Sequence, residues 1–253
     1  DEVVAAMTAK NLKWAVAFNF RTSPEVMHAK RLIFEEGLIG EILEVRCRGK
    51  EDHRAGGEDL IVLGIHLFDL MRNLLGEPQW CMAHISTNGH SATLEDVCEA
   101  TEPLGPILGD TVHATWGFAG GVKGYFASVK NGDNNPKRWG VDILGTQGVA
   151  TIRMDAVPIV RYAKTRDWAS ETIQWQPLPD RPNVPARTPE QVAHYAPIID
   201  SLINAIEGNT EPLASLHDAL IATEMIQSVF ESHIRQARIT FPLINRKHPL
   251  LTE

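Results

Sequence analysis

A chain of 253 residues, 43% hydrophobic and 22% charged, has room for one large domain or two small ones and the make-up of an ordinary globular fold. Its formal net charge of −8, with Lys and Arg scattered rather than run together, argues against a nucleic-acid surface. No apolar stretch has membrane-spanning length, since even 60–71 is broken by His66 and Asp69. Three cysteines (Cys47, Cys81, Cys98) without CxxC spacing fit a reducing, cytoplasmic setting better than a disulfide frame or a zinc knuckle.

The chain opens DEVVAAMTAK, the body of an Ala-rich helix with neither initiator Met nor signal peptide, and the expectation is a fragment or processed form. LKWAVAFN (12–19) is a short apolar run of the kind that forms a buried parallel strand. Two helix starts compete in the next stretch. Thr22 and Glu25 have capping-box spacing, whereas Ser23-Pro24 offers a cap followed by Pro at the first helical position. Val26, Ala29, Ile33 and Phe34 then follow at helical spacing, and Gly37 is a natural stop. Residues 1–39 thus predict an α–β–α run, the tail of a doubly wound unit.

From residue 40 onward the texture is α+β. EILEVRCRGK (41–50) alternates like a half-buried strand, and a helix is predicted near 58–75, closed by Gly76 and Pro78. Strands are expected at 79–88, 111–120, 122–131, 138–145 and 149–155, with hairpin turns at Gly120-Gly121 and GTQG (145–148). The acidic stretch 89–109 has no legible conformation, and the five prolines of 177–190 mark a loop or linker. Two helices close the chain at 194–208 and 215–236, the second capped by Ser215. The fold class is therefore α+β, a large, mostly antiparallel sheet covered on one face by helices. The other face, expected to be rich in Trp and β-branched residues over 111–155, predicts a homo-oligomer.

One stretch carries chemistry: GGEDLIVLGIHLFDLMR (56–72). On an α-helix Asp59, Val62, His66, Asp69 and Asn73 share a stripe, while Leu60, Leu63, Leu67, Leu70 and Leu74 fall elsewhere. His66 and Asp69 then form a narrow polar edge on a buried helix. One reading is a core histidine satisfied by a carbonyl, with Asp69 held by Arg72. The other is a site, favoured by Glu58, Asp59 and the KEDHR loop (50–54) at the same helix end. A histidine beside a carboxylate is the usual equipment for moving a proton near neutral pH.

VAFNFRTSPEVMHAKRLIFEEGLIGEILEVR, LGIHLFDLMRNLLGEP, VDILGTQGVATI and the closing stretch from PIIDSLINAIEG to ITFPL resemble, in order and spacing, the Gfo/Idh/MocA family of sugar and cyclitol oxidoreductases. The resemblance implies a Rossmann-like domain holding NAD or NADP, of which 1–39 is the C-terminal remnant. It also implies an α+β domain (40–253) for substrate binding and oligomerisation. The substrate implied is a sugar, a sugar derivative or a cyclitol, with no nucleic-acid or membrane partner. His66 corresponds to the histidine that takes or gives the hydroxyl proton. Asn19 and Arg21 match positions near the domain junction, as substrate or cofactor contacts or equally as loop caps. His53 falls on the substrate side of the loop entering the helix.

Three features depart from the family pattern. The chain has no G-x-G-x-x-G, no Glu-Lys-Pro, and Val62 where many relatives carry an Asp four residues before the histidine. Asp59 is the candidate substitute for that acid and Lys50 for the lysine; an acid at a helix N-terminus is also explained by the dipole. Four functions follow as expectations. The leading one is an NAD(P)-dependent oxidoreductase with His66, Asp59 and Lys50 as catalytic residues. The others are a non-catalytic sugar-binding or assembly subunit, an NAD-dependent glycosidase, and a metal-dependent hydrolase or lyase using Asp52, His53, Asp59 and His66.

Overall fold

Alternation in the segment from Ile42 to Arg48 places every second side chain under helices and the rest outside, and the whole sheet follows from this rule. A computed structural model of the chain describes residues 1–130, 138–155, 158–168, 171–180 and 195–251. Its strands are β1 (Ile42–Arg48), β2 (Trp80–Thr87), β3 (His90–Ser91), β4 (Val97–Glu99), β5 (Pro106–Leu108), β6 (Thr111–Gly117), β7 (Lys123–Val129), β8 (Gly140–Gly145), β9 (Val149–Arg153), β10 (Ile159–Ala163), β11 (Gln176–Pro177) and β12 (Ile239–Thr240). Ten of these form one sheet in the order β11-β10-β9-β8-β1-β7-β6-β2-β12, with β3 beside β2. All neighbours are antiparallel except β1 and β7, where Val45 faces Gly124 in a parallel pair. The remaining two, β4 and β5, make a separate hairpin within 89–109.

Val45, Cys81, Val112, Trp116, Phe126 and Val141 point toward the helices and are essentially excluded from water. Arg46, Met82, His84, His113, Tyr125 and Asp142 point the other way and line a shallow groove of about 690 Å³. That open face differs from the expectation. Trp116 alternates inward with the core, so over 111–155 the outward rows carry His113, Thr115, Tyr125 and Asp142, and the Trp that lines the groove is Trp80 of β2.

The helices are α1 (Glu2–Ala9), α2 (Pro24–Lys30), α3 (Gly57–Asp59), α4 (Ile65–Leu75), α5 (Ala196–Gly208) and α6 (Leu216–Arg235). Of the two competing starts for α2, the Ser23-Pro24 cap forms: Ser23 Oγ accepts the Val26 amide at 3.3 Å, and Thr22 Oγ1 instead donates to the Asn19 carbonyl. A π turn (Arg31–Glu35) extends this helix to the stop at Gly37. Ser215 caps α6 as expected, in a capping box with Asp218. At the other end of α6, Ser232 Oγ and His233 Nδ1 accept the Ala83 and Ile85 amides, closing the edge of β2 where no strand pairs with it.

The strand expected at 12–19 is extended chain with one isolated bridge, Ala15 to Ser215. A buried parallel strand needs strands alongside it, and among the described residues only the turn before α6 lies there. Residues 181–190 of the expected proline-rich loop lie outside the described residues. No helix among the described residues is long and apolar enough to cross a membrane.

The double glycine at 56–57 has a steric cause. Gly57 donates to the Gly109 carbonyl at 3.0 Å, and a Cβ there would overlap the Leu108 carbonyl. Gly57→Ala forces backbone apart from backbone and is expected to cost about 2 kcal/mol, read as a lower urea midpoint at unchanged slope.

Candidate active site

The helix from Gly57 to Leu75 is not one regular α-helix. A π turn (Leu60–Gly64) separates α3 from α4. A π turn carries one extra residue, so side chains before it are rotated by about 100° relative to those after it. The stripe drawn on an ideal α-helix is therefore broken. Asp59 does not share a face with His66, and the expected partnership between them is not made.

Asp59 turns instead toward the end of β7. Its Oδ2 accepts the Ser128 hydroxyl at 2.6 Å and the Glu51 amide at 3.2 Å. It is 1% exposed, and burial raises its carboxyl above the usual range against the pull of Ser128. Gly49 passes so close that a Cβ would overlap the Asp59 carboxylate. Asp59 thus fixes the loop that carries Lys50. Glu58 also ties loops together, since its Oε1 accepts from Thr101 and the Glu102 amide and so fastens the 89–109 segment.

His66, the first polar residue of α4, is half-buried among aromatic rings. Phe18 and Phe20 meet its imidazole edge-on with centroids 6.0 and 5.4 Å away. Phe20 also meets Trp139 at 5.6 Å, and Lys50 Nζ lies 5.7 Å from the Trp139 ring centroid. Lys50 is steadied by Asp52 at 3.4 Å. His66 and Lys50 therefore stand at two ends of one aromatic row. Burial lowers the His66 pKa, favouring the neutral imidazole at neutral pH. Its Nδ1 is buried without a hydrogen-bond partner. Trp139 Nε1 is likewise buried and unpartnered.

Arg21 is not a free recognition group. It is 8% exposed, and its guanidinium grips Asp69 through Nε (2.9 Å) and Nη2 (2.7 Å), then Asp218 and the Leu213 carbonyl through Nη1, both at 2.9 Å. Its donors are engaged within the protein, and the pairing expected between Asp69 and Arg72 is replaced by one between Asp69 and Arg21. Arg72 binds Asp218 and Glu77. Burial pushes the Asp69 carboxyl up to about 7, against the pull of Arg21.

Asn19 is half-buried in the turn after Phe18, with its carbonyl bonded to Thr22. His53 is exposed and 3.8 Å from Asp52, whose carboxylate is held well below its usual range by the Arg54 guanidinium. Asp52, His53, Asp59 and His66 do not converge, and among the described residues no three His, Cys, Asp or Glu side chains gather as metal ligands. Sequence reasoning missed Phe18, Phe20 and Trp139. Phe18 falls in an apolar run that reads as a strand, and nothing local marks Trp139 as a neighbour of a helix more than sixty positions away.

Residues 30–241 match the model of an oxidoreductase family, its C-terminal alpha/beta domain. The chain is 30% identical over 167 residues to levoglucosan dehydrogenase of Pseudarthrobacter phenanthrenivorans, a match over 56% of this chain and 43% of that protein, so it spans less than half of that relative. Among solved structures, levoglucosan dehydrogenase in complex with NADH and levoglucosan superposes with a TM-score of 0.69 at 22% identity, over 94% of this chain and 68% of that one. An NAD binding oxidoreductase from Klebsiella pneumoniae also gives a TM-score of 0.69, at 14% identity over 94% and 69% of the two chains.

Because Asp59 holds the Lys50 loop through Ser128, Ser128→Ala is expected to destabilise the protein by about 2 kcal/mol, the cost of leaving a buried carboxylate short of a donor. Urea unfolding of the two proteins checks this, and a change below a few tenths of a kcal/mol contradicts it.

Proposed function

The chain belongs to the Gfo/Idh/MocA oxidoreductase family, and on that premise we propose that it is the substrate-binding part of an NAD(P)-dependent oxidoreductase acting on a sugar, a sugar derivative or a cyclitol. The observation that carries the reading is His66, a half-buried imidazole with a lowered pKa, held between Phe18 and Phe20 with Nδ1 unpartnered. The relative named for levoglucosan supports a carbohydrate substrate.

The chemistry asked of this chain is a proton transfer. A carbinol loses hydride readily only if its hydroxyl proton departs as well, and Nε2 of neutral His66 is the group that takes it. Lys50, set by Asp52 and Trp139, donates a hydrogen bond to a neighbouring substrate oxygen. The row of Phe20 and Trp139 gives the apolar faces of a sugar ring a surface to lie on and keeps water from the imidazole. NAD or NADP supplies the hydride acceptor. The sequence given contains no G-x-G-x-x-G of the kind that cradles its phosphates.

Residues 1–39 are then the end of the dinucleotide-binding domain, and 40–253 the substrate domain. The open sheet face, with Met82 54% exposed amid Arg46, His113 and Tyr125, is the surface through which copies of the protein associate. A second reading, a sugar-binding subunit without turnover, draws on Val62, which stands where many members of the resembled family carry an Asp, and on the unpartnered Nδ1 of His66.

Two outcomes test these assignments on the full-length protein. Reduction of NAD⁺ or NADP⁺ with a panel of sugars and cyclitols is expected, and His66→Gln is expected to lower kcat by about 10²–10⁴-fold. Sugar binding without any cofactor reduction favours the binding subunit instead. Light scattering is expected to show an oligomer that Met82→Arg dissociates; a wild-type monomer contradicts the sheet-face assignment.

A further inference from the structure

Arg21 sits one residue after Phe20, and Asp69 sits one helical turn after His66. Their ion pair therefore ties the two places where the site meets itself: the segment bearing Phe18 and Phe20, and the start of α4 bearing His66. The grip is three-sided. Besides both carboxylate oxygens of Asp69, the guanidinium reaches Asp218 in the first turn of α6 and the Leu213 carbonyl just before it. The same approach to α6 accepts the Val16 amide at Ala214 and bridges Ala15 to Ser215. Among the described residues this bridge is the segment's only sheet pairing, so beyond it the 12–23 stretch is held by apolar packing of Phe18 and by side-chain ties.

We infer that Arg21 is a positioning residue: by clamping Asp69 and Asp218 it presses Phe18 and Phe20 onto His66, and so sets the burial, ring orientation and protonation of the imidazole. This rests on the reading of His66 as the group that handles the proton. Only Arg carries it out. Its planar fork reaches three groups from one centre: Nε donates to Asp69 Oδ2, Nη2 lies against Asp69 Oδ1 and the Asp69 carbonyl, and Nη1 meets Asp218 and the Leu213 carbonyl, a spread that a lysine ammonium does not match. Among the described residues no charged group acts measurably on the His66 imidazole, and the lowering of its pKa has burial as its cause. Removing the phenyl rings, or letting them drift, therefore changes both access to the imidazole and its pKa.

The test needs no substrate and no cofactor. Full-length wild type, Arg21→Lys and Phe20→Leu are treated with diethyl pyrocarbonate across a pH series, and modification of each histidine is followed by peptide mass spectrometry. The reagent attacks neutral imidazole, so each peptide yields a rate and a pKa. His53, exposed, and His233, buried behind β2, serve as references. Arg21→Lys is expected to raise the His66 rate about tenfold and to move its apparent pKa upward toward the ordinary 6.5, with His53 and His233 unchanged. Phe20→Leu, which leaves the ion pairs intact, is expected to do the same. Two results overturn the inference: His66 behaving as in wild type in either folded variant, or His233 rising in step with His66, which makes Arg21 a general prop of the fold. Because the readout is modification and not turnover, the inference stands or falls apart from the oxidoreductase reading. Loss of turnover in His66→Gln speaks to that one.

Discussion

The site depends on one buried electrostatic arrangement. Arg21, Asp69 and Asp218 all lie out of water, where an unpaired charge is costly and a lost partner is worth about 3–5 kcal/mol. That penalty makes the geometry close to all-or-none. It locks a segment with little regular structure of its own against α4 and against the capped start of α6. Asp218 serves two purposes at once: one oxygen completes the Ser215 capping box, the other receives Arg21 and Arg72. Secondary structure and site geometry are thus bound to the same carboxylate.

The π turn between α3 and α4 is the second constraint. By adding one residue it lets a single apolar helix serve two environments. Before the turn, Glu58 and Asp59 face inward to fasten loops, and the glycines at 56–57 bring the backbone against the 108–109 segment. After the turn, His66 faces the phenyl rings while Leu67, Leu70 and Leu74 remain in the core. Without the rotation, Asp59 and His66 would share one face, and one of them would have to leave its present partners.

Much of the scaffold is legible in the sequence because it obeys short-range rules. Strand alternation in 42–48, the Ser23-Pro24 and Ser215 caps and the stop at Gly76 each depend on neighbours a few residues apart. His66 as a polar group on a buried helix was also legible. What escaped depends on contacts across the chain or on a break in periodicity. The partner of Asp69 is 48 positions away, the hydrogen bond that claims Asp59 spans 69, and a π turn has no reliable local signature. The open sheet face escaped for a different reason. Alternation fixes which residues share a face, not which face the helices cover, and Trp116 went inward with the core.

The central claim is that His66 takes the substrate proton with its pKa set by burial and not by a neighbouring acid. The most direct measurement is the pH dependence of kcat/KM for sugar oxidation by the full-length protein, wild type against Val62→Asp. The wild type is expected to lose activity through one protonation below the ordinary imidazole value of 6.5, and the new carboxylate four residues before His66 is expected to move that limb upward by about one pH unit. A wild-type profile without such a limb contradicts the assignment of His66 as the proton acceptor.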